Sequence, residues 1–176
     1  ESVDSSSEWN QWLRDEVPAL FLRATGEFLH RASAQVAEGE VEAAVDLLNR
    51  FFEFCPLPGS VVDFFAPLGP ACCRLLRSSR CVLTREGELV LPVDAVTLAP
   101  SEAGLLADGI DPEALLRQLD LRVAHPRLRV SSALARELGV RSVDASLLCE
   151  ALAQLSSRWG HSAEVDFRWL AWAMHE

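Results

Sequence analysis

The feature that most constrains the fold is the helical spacing of apolar residues in the first third of the chain. Apolar side chains recur every three or four residues over positions 9–28 and again over positions 41–52. This period places them on one face of a helix, and such a face must be buried against another element. Ser5 and Glu8 match a capping box at the start of the first helix. The sequence therefore predicts two long helices that pack through their apolar faces.

Proline and glycine residues predict where these helices are interrupted. Pro18 lacks a backbone N–H and disfavours helical backbone at Val17, so a break or kink is expected near residues 15–18. The run at 38–40, with glycine at its centre, predicts the end of one helix and the start of the next. Residues 55–70 are rich in proline and glycine, which predicts a tight connector with short helices.

A small β-hairpin is predicted after a helix over residues 71–77. Two apolar runs, at 81–84 and 89–92, are separated by four turn-forming residues. A lone two-stranded hairpin is only marginally stable in water. We therefore expect the hairpin to pack on the helices.

The second half of the chain again has helical patterns. Helices are predicted over residues 101–107, 113–118, 132–138 and 144–158, with a short extended piece at 121–123 and a last helix from about residue 162. Ser131 or Ser132 should cap the third of these helices, Gly139 should end it, and Asp144 should open the fourth. The predicted fold is mainly α, a multi-helix globule with a small β-hairpin. Its expected organisation is an N-terminal helical subdomain over 1–100, which ends in the hairpin, and a C-terminal helical subdomain over 101–176. Alternatively, the two form one continuous domain.

Charge and composition exclude several kinds of function. All 16 basic residues are arginines, so no lysine is present to form a Schiff base or a Walker-type phosphate contact. The net charge of −10 disfavours binding to nucleic acid. No apolar run reaches the roughly 18 residues that span a bilayer, so no membrane interaction is expected. Five cysteines, an odd number that includes an adjacent pair, favour a reducing, intracellular location that is nuclear or cytoplasmic.

No catalytic, metal-binding or cofactor-binding constellation follows from the spacing of the reactive residues. Zinc sites use paired ligands two to four residues apart, and the cysteines and histidines do not form such pairs.

Two alternative functions remain beside the leading interpretation. A cysteine-dependent hydrolase or transferase that uses Cys149 or Cys55 with His125 is one alternative. A winged-helix-like nucleic-acid module around residues 112–158 is another. The leading expectation is a chain that is not an enzyme, needs no cofactor and interacts with a protein partner or with adjacent domains of the same chain.

Two stretches are the candidate partner-binding surfaces. The predicted last helix is apolar around nearly its whole circumference, so it must be buried on several sides or dock onto a partner. A locally basic stretch between positions 117 and 141 could dock an acidic protein. The candidate residues are Trp169, Trp172, Met174, Arg117, Arg122, Arg127, Arg129, Arg136 and Arg141.

Several pieces of the sequence form a pattern that is spread over most of the chain. They are residues 8–13 with Val17-Pro18 and Leu20-Phe21, residues 56–59 with Phe64-Phe65, Cys81 before a hairpin that ends in Pro92, residues 115–119, and residues 132–140. Together they resemble the NO VEIN-like and sacsin-like family of large proteins, in the region outside its ATP-binding domain. The resemblance implies an intracellular protein with a GHKL-type ATP-binding domain followed by long helical regions of scaffold or chaperone-like character. Asp108-Gly109 lacks the second glycine of the family's nucleotide-binding loop, so no ATP-binding residue is carried over.

Overall fold

The computed structural model describes residues 5–58, 68–98, 116–117, 119–144, 146–147, 150 and 153. Its elements, in chain order, are helices α1 (Ser5–Ala37), α2 (Val41–Phe54) and α3 (Leu68–Arg77), strands β1 (Val82–Leu83) and β2 (Leu89–Val90), a 3-10 turn (Pro92–Asp94), strands β3 (Ala95–Thr97) and β4 (Arg122–Val123), helix α4 (Ser132–Leu138) and strand β5 (Arg141–Ser142). The prediction of a mainly α fold with a small β-hairpin is confirmed.

The first two helices pack as the apolar period predicted. Helix α2 buries Ala44, Val45, Leu48 and Phe52, which recur at helical spacing. Helix α1 meets this face with Leu29 and Ala32. The turn at 38–40 separates the two helices, also as predicted.

Of the break or kink that was predicted near residues 15–18, the break is wrong. Helix α1 runs without interruption for 33 residues, with Pro18 inside it. Proline removes one backbone hydrogen bond and disfavours the helix locally, but it does not forbid helical dihedral angles. Downstream of Pro18, the burial of Thr25, Leu29 and Ala32 holds the helix in place and outweighs that local cost.

The hairpin forms with the predicted strands and turn. Val82 pairs with Val90, and Leu83 pairs with Leu89, in antiparallel register. Thr84 closes the turn because its N–H donates to the Glu88 carbonyl at 2.8 Å and its buried hydroxyl accepts from the Glu88 N–H at 3.2 Å. A preceding helix was predicted at 71–77; the observed α3 begins three residues earlier, at Leu68.

A three-stranded parallel sheet is the main element that the sequence did not predict. Strand β3 lies in the centre, with β4 on one side and β5 on the other. Only the extended piece at 121–123 was expected, and it corresponds to β4. An isolated bridge between Thr84 and Ala124 joins this sheet to the hairpin. The hairpin therefore lies beside the β4 edge of the three-stranded sheet.

Neighbouring residues of β3 and of the β4 segment contribute to two different apolar clusters. Ala95 and Ala124 belong to a large cluster formed mainly by the four helices and the hairpin. Val96 and Val123 belong to a second cluster, which contains Leu116. Successive side chains of a strand point to opposite faces, so the sheet is covered on both. The larger cluster draws residues from both sides of position 100, while the division into two subdomains stays a prediction.

Local capping signals in the second half are also confirmed. The Ser131 hydroxyl accepts a hydrogen bond from the Leu134 N–H at 3.2 Å, and α4 ends at Gly139 with a φ of +83°. This left-handed backbone favours glycine because a Cβ atom would be strained there. The Asp144 carboxylate accepts from the Leu147 N–H at 2.8 Å, which is the predicted opening of the next helix. Most of that helix, the predicted helix at 101–107 and the last helix lie outside the described residues.

The packing of α2 predicts that Leu48→Ala will destabilise the protein. Leu48 is fully buried in the large cluster, so its removal loses apolar burial and leaves a cavity. We expect the free energy of unfolding to fall by about 2–5 kcal/mol in urea denaturation. Val93→Ala is the control, because Val93 is 58% exposed and its truncation should change stability by no more than about 0.5 kcal/mol. Equal losses in both variants would contradict this assignment of the core.

Candidate functional site

Half of the candidate arginines in the predicted basic stretch are paired with carboxylates of the same chain. Arg127 forms ion pairs with Glu42 and Asp46 on the outer face of α2. Arg117 lies 3.1 Å from Glu86 in the hairpin turn, and Arg141 lies 3.2 Å from Glu150. Three of the six candidate arginines thus contact three different parts of the fold and do not form one continuous basic face.

The other three candidate arginines also differ in their surroundings. Arg122 is half-buried in β4, and its guanidinium donates to the Leu121 carbonyl at 3.3 Å. Arg129 and Arg136 are exposed, in the loop after β4 and on α4. Whether any of the six binds a partner stays a prediction. The remaining candidates, Trp169, Trp172 and Met174, lie outside the described residues.

Asn49 on α2 holds the arginine-bearing loop against the helix. Its side-chain amide donates to the Arg127 carbonyl at 2.9 Å, and its side-chain oxygen accepts from the Arg129 N–H at 2.6 Å. Both bonds engage backbone groups, so they fix the path of the loop independently of the arginine side chains. The ion pairs of Arg127 with α2 reinforce the same contact from the solvent side.

An apolar groove lies between α1 and α2, and the sequence analysis did not identify it. We call it the phenylalanine groove. It has a volume of about 270 Å³. Phe28 and Phe51 stack in its floor with ring centroids 5.1 Å apart, while Phe54 at its edge is 78% exposed. Its lining residues are Phe21, Ala24, Thr25, Phe28, Arg50, Phe51 and Phe54.

A weak signal for this groove is present in the sequence. Phe51 and Phe54 are three residues apart on α2, and Phe21 and Phe28 are seven apart on α1. Each pair shares one side of its helix, offset from the residues that form the core. The spacing does not reveal that the two pairs face each other, because that depends on how α1 and α2 cross.

Cys55 and His125, two candidates of the cysteine-dependent alternative, contact other groups of the chain. The sulfur of Cys55 lies 3.5 Å from the sulfur of Cys72. His125 Nδ1 accepts a hydrogen bond from the Arg127 N–H at 3.3 Å. Cys149, the other candidate nucleophile, lies outside the described residues. In the part of the chain that the structure describes, no three His, Cys, Asp or Glu side chains converge on a position suited to a metal ion.

The four described cysteines have perturbed acidities. The hydrogen bond from Cys55 lowers the pKa of Cys72, whereas the same bond and burial raise the pKa of Cys55. Burial raises the pKa of Cys73 and, together with the charge of Cys72, raises the pKa of Cys81 to about 12. The raised pKa values disfavour the thiolate form of Cys73 and Cys81, which is the nucleophilic form of a cysteine.

Comparison with known proteins identifies a similar segment in one much longer protein. Over 174 residues the chain is 30% identical to Protein NO VEIN of Arabidopsis thaliana. This chain is similar to a segment of NO VEIN. The match covers 97% of the chain but spans only 6% of the length of NO VEIN. It supports the NO VEIN-like part of the predicted resemblance.

Two further comparisons gave no match. No protein-family model matches the chain, and no solved structure is significantly similar to it. Among the described helices, none combines the length and the apolar character needed to cross a membrane. The similarity to NO VEIN concerns sequence alone, so it assigns no role to individual residues.

The contacts of Asn49 predict a stability effect larger than that of the neighbouring ion pairs. Asn49→Ala removes two hydrogen bonds to backbone groups of the arginine-bearing loop and should lower the free energy of unfolding by about 1–3 kcal/mol, at roughly 0.5–1.5 kcal/mol for each bond. Arg127→Ala removes only exposed ion pairs and should cost no more than about 1 kcal/mol. Urea denaturation of both variants measures the difference. A larger loss for Arg127→Ala would show that the charges, and not Asn49, hold the loop.

Proposed function

We propose that this chain is a non-catalytic protein-interaction module of a longer, NO VEIN-like protein, and that the phenylalanine groove is its binding surface. The observation that carries the proposal is the exposure of Phe54, which is 78% accessible at the edge of an apolar groove. An aromatic side chain that is left in water forgoes about 1.5–3 kcal/mol of burial. A partner that covers Phe54 recovers this free energy.

The dimensions of the groove favour side chains of a docking helix as its ligand. Pockets for small molecules usually have volumes of about 300–1,000 Å³, and the groove, at about 270 Å³, falls just below that range. Its lining residues come from both α1 and α2. An amphipathic helix can place apolar residues at positions i, i+3 or i+4, and i+7 in such a groove.

We assign the occupant to another region of the same longer protein. NO VEIN extends far beyond the matched segment, which is 6% of its length. A shallow groove offers less contact than the roughly 1,200–2,000 Å² that stable complexes between separate proteins bury. A tethered segment binds as an intramolecular partner at a high effective concentration, so a small interface is sufficient.

The resemblance to the larger family extends this proposal. It implies that ATP binding and turnover belong to a GHKL-type domain elsewhere in the longer protein, with this chain in a scaffold or chaperone-like region. A nuclear or cytoplasmic location is part of the same proposal. It is supported by Cys55, Cys72, Cys73 and Cys81, all of which are free thiols.

The electrostatics support a protein partner over nucleic acid. The net charge is −10, and phosphate binding would need a clustered basic face to overcome this repulsion. Arg117, Arg127 and Arg141 already pair with carboxylates of the chain, so their charges are partly neutralised. A groove with an apolar lining needs no such charge.

The proposal predicts that Phe54→Glu will weaken binding to the docking segment by roughly 10- to 100-fold, since the aromatic contact is lost and a charge enters an apolar site. Overlapping purified segments of the longer protein would be titrated calorimetrically into the 176-residue chain. Val93→Glu is the matched control because Val93 is exposed and lies outside the groove. Urea denaturation would verify that both variants fold.

Two results would contradict this proposal. One is that no segment of the longer protein binds the chain. The other is that a bound segment is equally sensitive to Phe54→Glu and Val93→Glu, which would assign binding to a different surface. A full-length gene without an ATP-binding domain would contradict the family context but not the role of the groove.

A further inference from the structure

The chain directly after α2 lies against the first turn of α3. A Cβ atom on Gly69 would lie 2.6 Å from the Leu57 carbonyl oxygen and 2.8 Å from the Pro58 nitrogen. Real side chains do not approach backbone atoms so closely. Glycine at position 69 is therefore what allows residues 57 and 58 to rest directly on the helix.

This close approach also brings two thiols together. Gly69 and Cys72 are three residues apart and so lie on the same side of α3, one turn from each other. Cys55 lies two residues before Leu57, and its sulfur is 3.5 Å from the sulfur of Cys72. The close packing of these two backbone segments thus accompanies the approach of the two sulfurs.

The two cysteines differ in their access to solvent. Cys72 is fully buried in the core cluster, while Cys55 is half-buried at the end of α2. The neighbouring Phe54 is exposed. A small oxidant can therefore reach the pair from the side of Cys55.

We propose that Cys55 and Cys72 form a reversible disulfide when the reduced protein meets a peroxide. The pair is a redox-sensitive site that responds to oxidant in a compartment where thiols are otherwise kept reduced. This inference does not depend on the proposed function of the groove.

The reaction balances with hydrogen peroxide as the oxidant. A thiolate of the pair attacks one peroxide oxygen; an S–O bond forms, the O–O bond breaks, and the departing hydroxide takes up a proton to become water. The second thiol then attacks the sulfenic sulfur, forming the S–S bond and breaking the S–O bond, and a second water leaves. The two sulfurs lose two electrons in total, and the peroxide gains them. A dithiol or glutathione reverses the reaction by thiol–disulfide exchange.

The acidities agree with a reactive pair beside two inert thiols. The hydrogen bond from Cys55 stabilises a thiolate on Cys72 and lowers its pKa, which favours loss of the first proton. Burial raises the pKa values of both Cys73 and Cys81, and the Cys81 thiol donates to the Leu76 carbonyl at 3.5 Å. The 3.5 Å separation of the Cys55 and Cys72 sulfurs is the geometric reason why oxidation should select this pair.

The experiment treats the reduced 176-residue chain with a small excess of hydrogen peroxide and then counts thiols under denaturing conditions. The expected result is the loss of two thiols from the five present. The tryptic peptide from Phe51 to Arg74 contains no internal arginine or lysine, and it should lose the mass of two hydrogen atoms. Dithiothreitol should restore both readings.

Serine variants assign the bond within that peptide, because Cys73 is adjacent to Cys72 and provides a matched control. Cys55→Ser and Cys72→Ser should abolish the mass change, whereas Cys73→Ser should retain it.

Gly69→Ala should slow formation of the bond several-fold, since a Cβ at that position displaces the segment that carries Cys55. In the wild-type protein, closing this loop should raise the melting temperature by roughly 5–10 °C.

Three outcomes would overturn the proposal. The first is retention of all five thiols under peroxide that oxidises a reference dithiol. The second is an unchanged loss of two hydrogen masses in Cys55→Ser or Cys72→Ser. The third is a product linked between two chains instead of within one. A variant that fails to fold is identified by urea denaturation, and the wild-type and Cys73→Ser proteins still decide the question by their mass change.

Discussion

The structure depends on the burial of strand β3 on both of its faces. Ala95 contributes to the cluster formed by the helices and the hairpin, and Val96 contributes to the second cluster on the opposite face. A parallel strand between two partners satisfies its backbone hydrogen bonds only when both partners are present. Because β4 and β5 come from the second half of the chain, that half has to be in place for the centre of the fold to form.

The hairpin extends this sheet and so determines where the loop after β4 begins. The Arg85 N–H donates to the Val123 carbonyl at 3.0 Å, and the His125 N–H donates to the Leu83 carbonyl at 2.8 Å. The chain then leaves the sheet beside α2, where Asn49 binds the loop through two backbone groups. The positions of Arg127 and Arg129 therefore follow from β-sheet pairing and the contacts of Asn49, while the exposed ion pairs of Arg127 add little.

Features that depend on a few neighbouring residues could be predicted from the sequence, and features that depend on distant parts of the chain could not. Ser131, Gly139 and Asp144 act within a few residues, so the helix ends that they mark could be predicted. Strands of two or three residues have no measurable period, and β3 pairs with partners more than twenty residues away. The error at Pro18 has the opposite origin, since a local penalty was given more weight than the burial of the helix that follows. The phenylalanine groove and the thiol pair also went unpredicted, because each joins two elements whose packing the sequence does not state.

The groove and the thiol pair meet at the C-terminal end of α2. Phe54 is the last residue of that helix, and Cys55 follows it directly. An exposed aromatic side chain loses conformational entropy when it is buried by a partner, and this loss reduces the affinity. A covalent link from Cys55 to α3 restrains the helix end before any partner arrives. If both proposals hold, oxidation therefore strengthens binding in the groove by preorganising Phe54, and it does so without adding a contact to the interface.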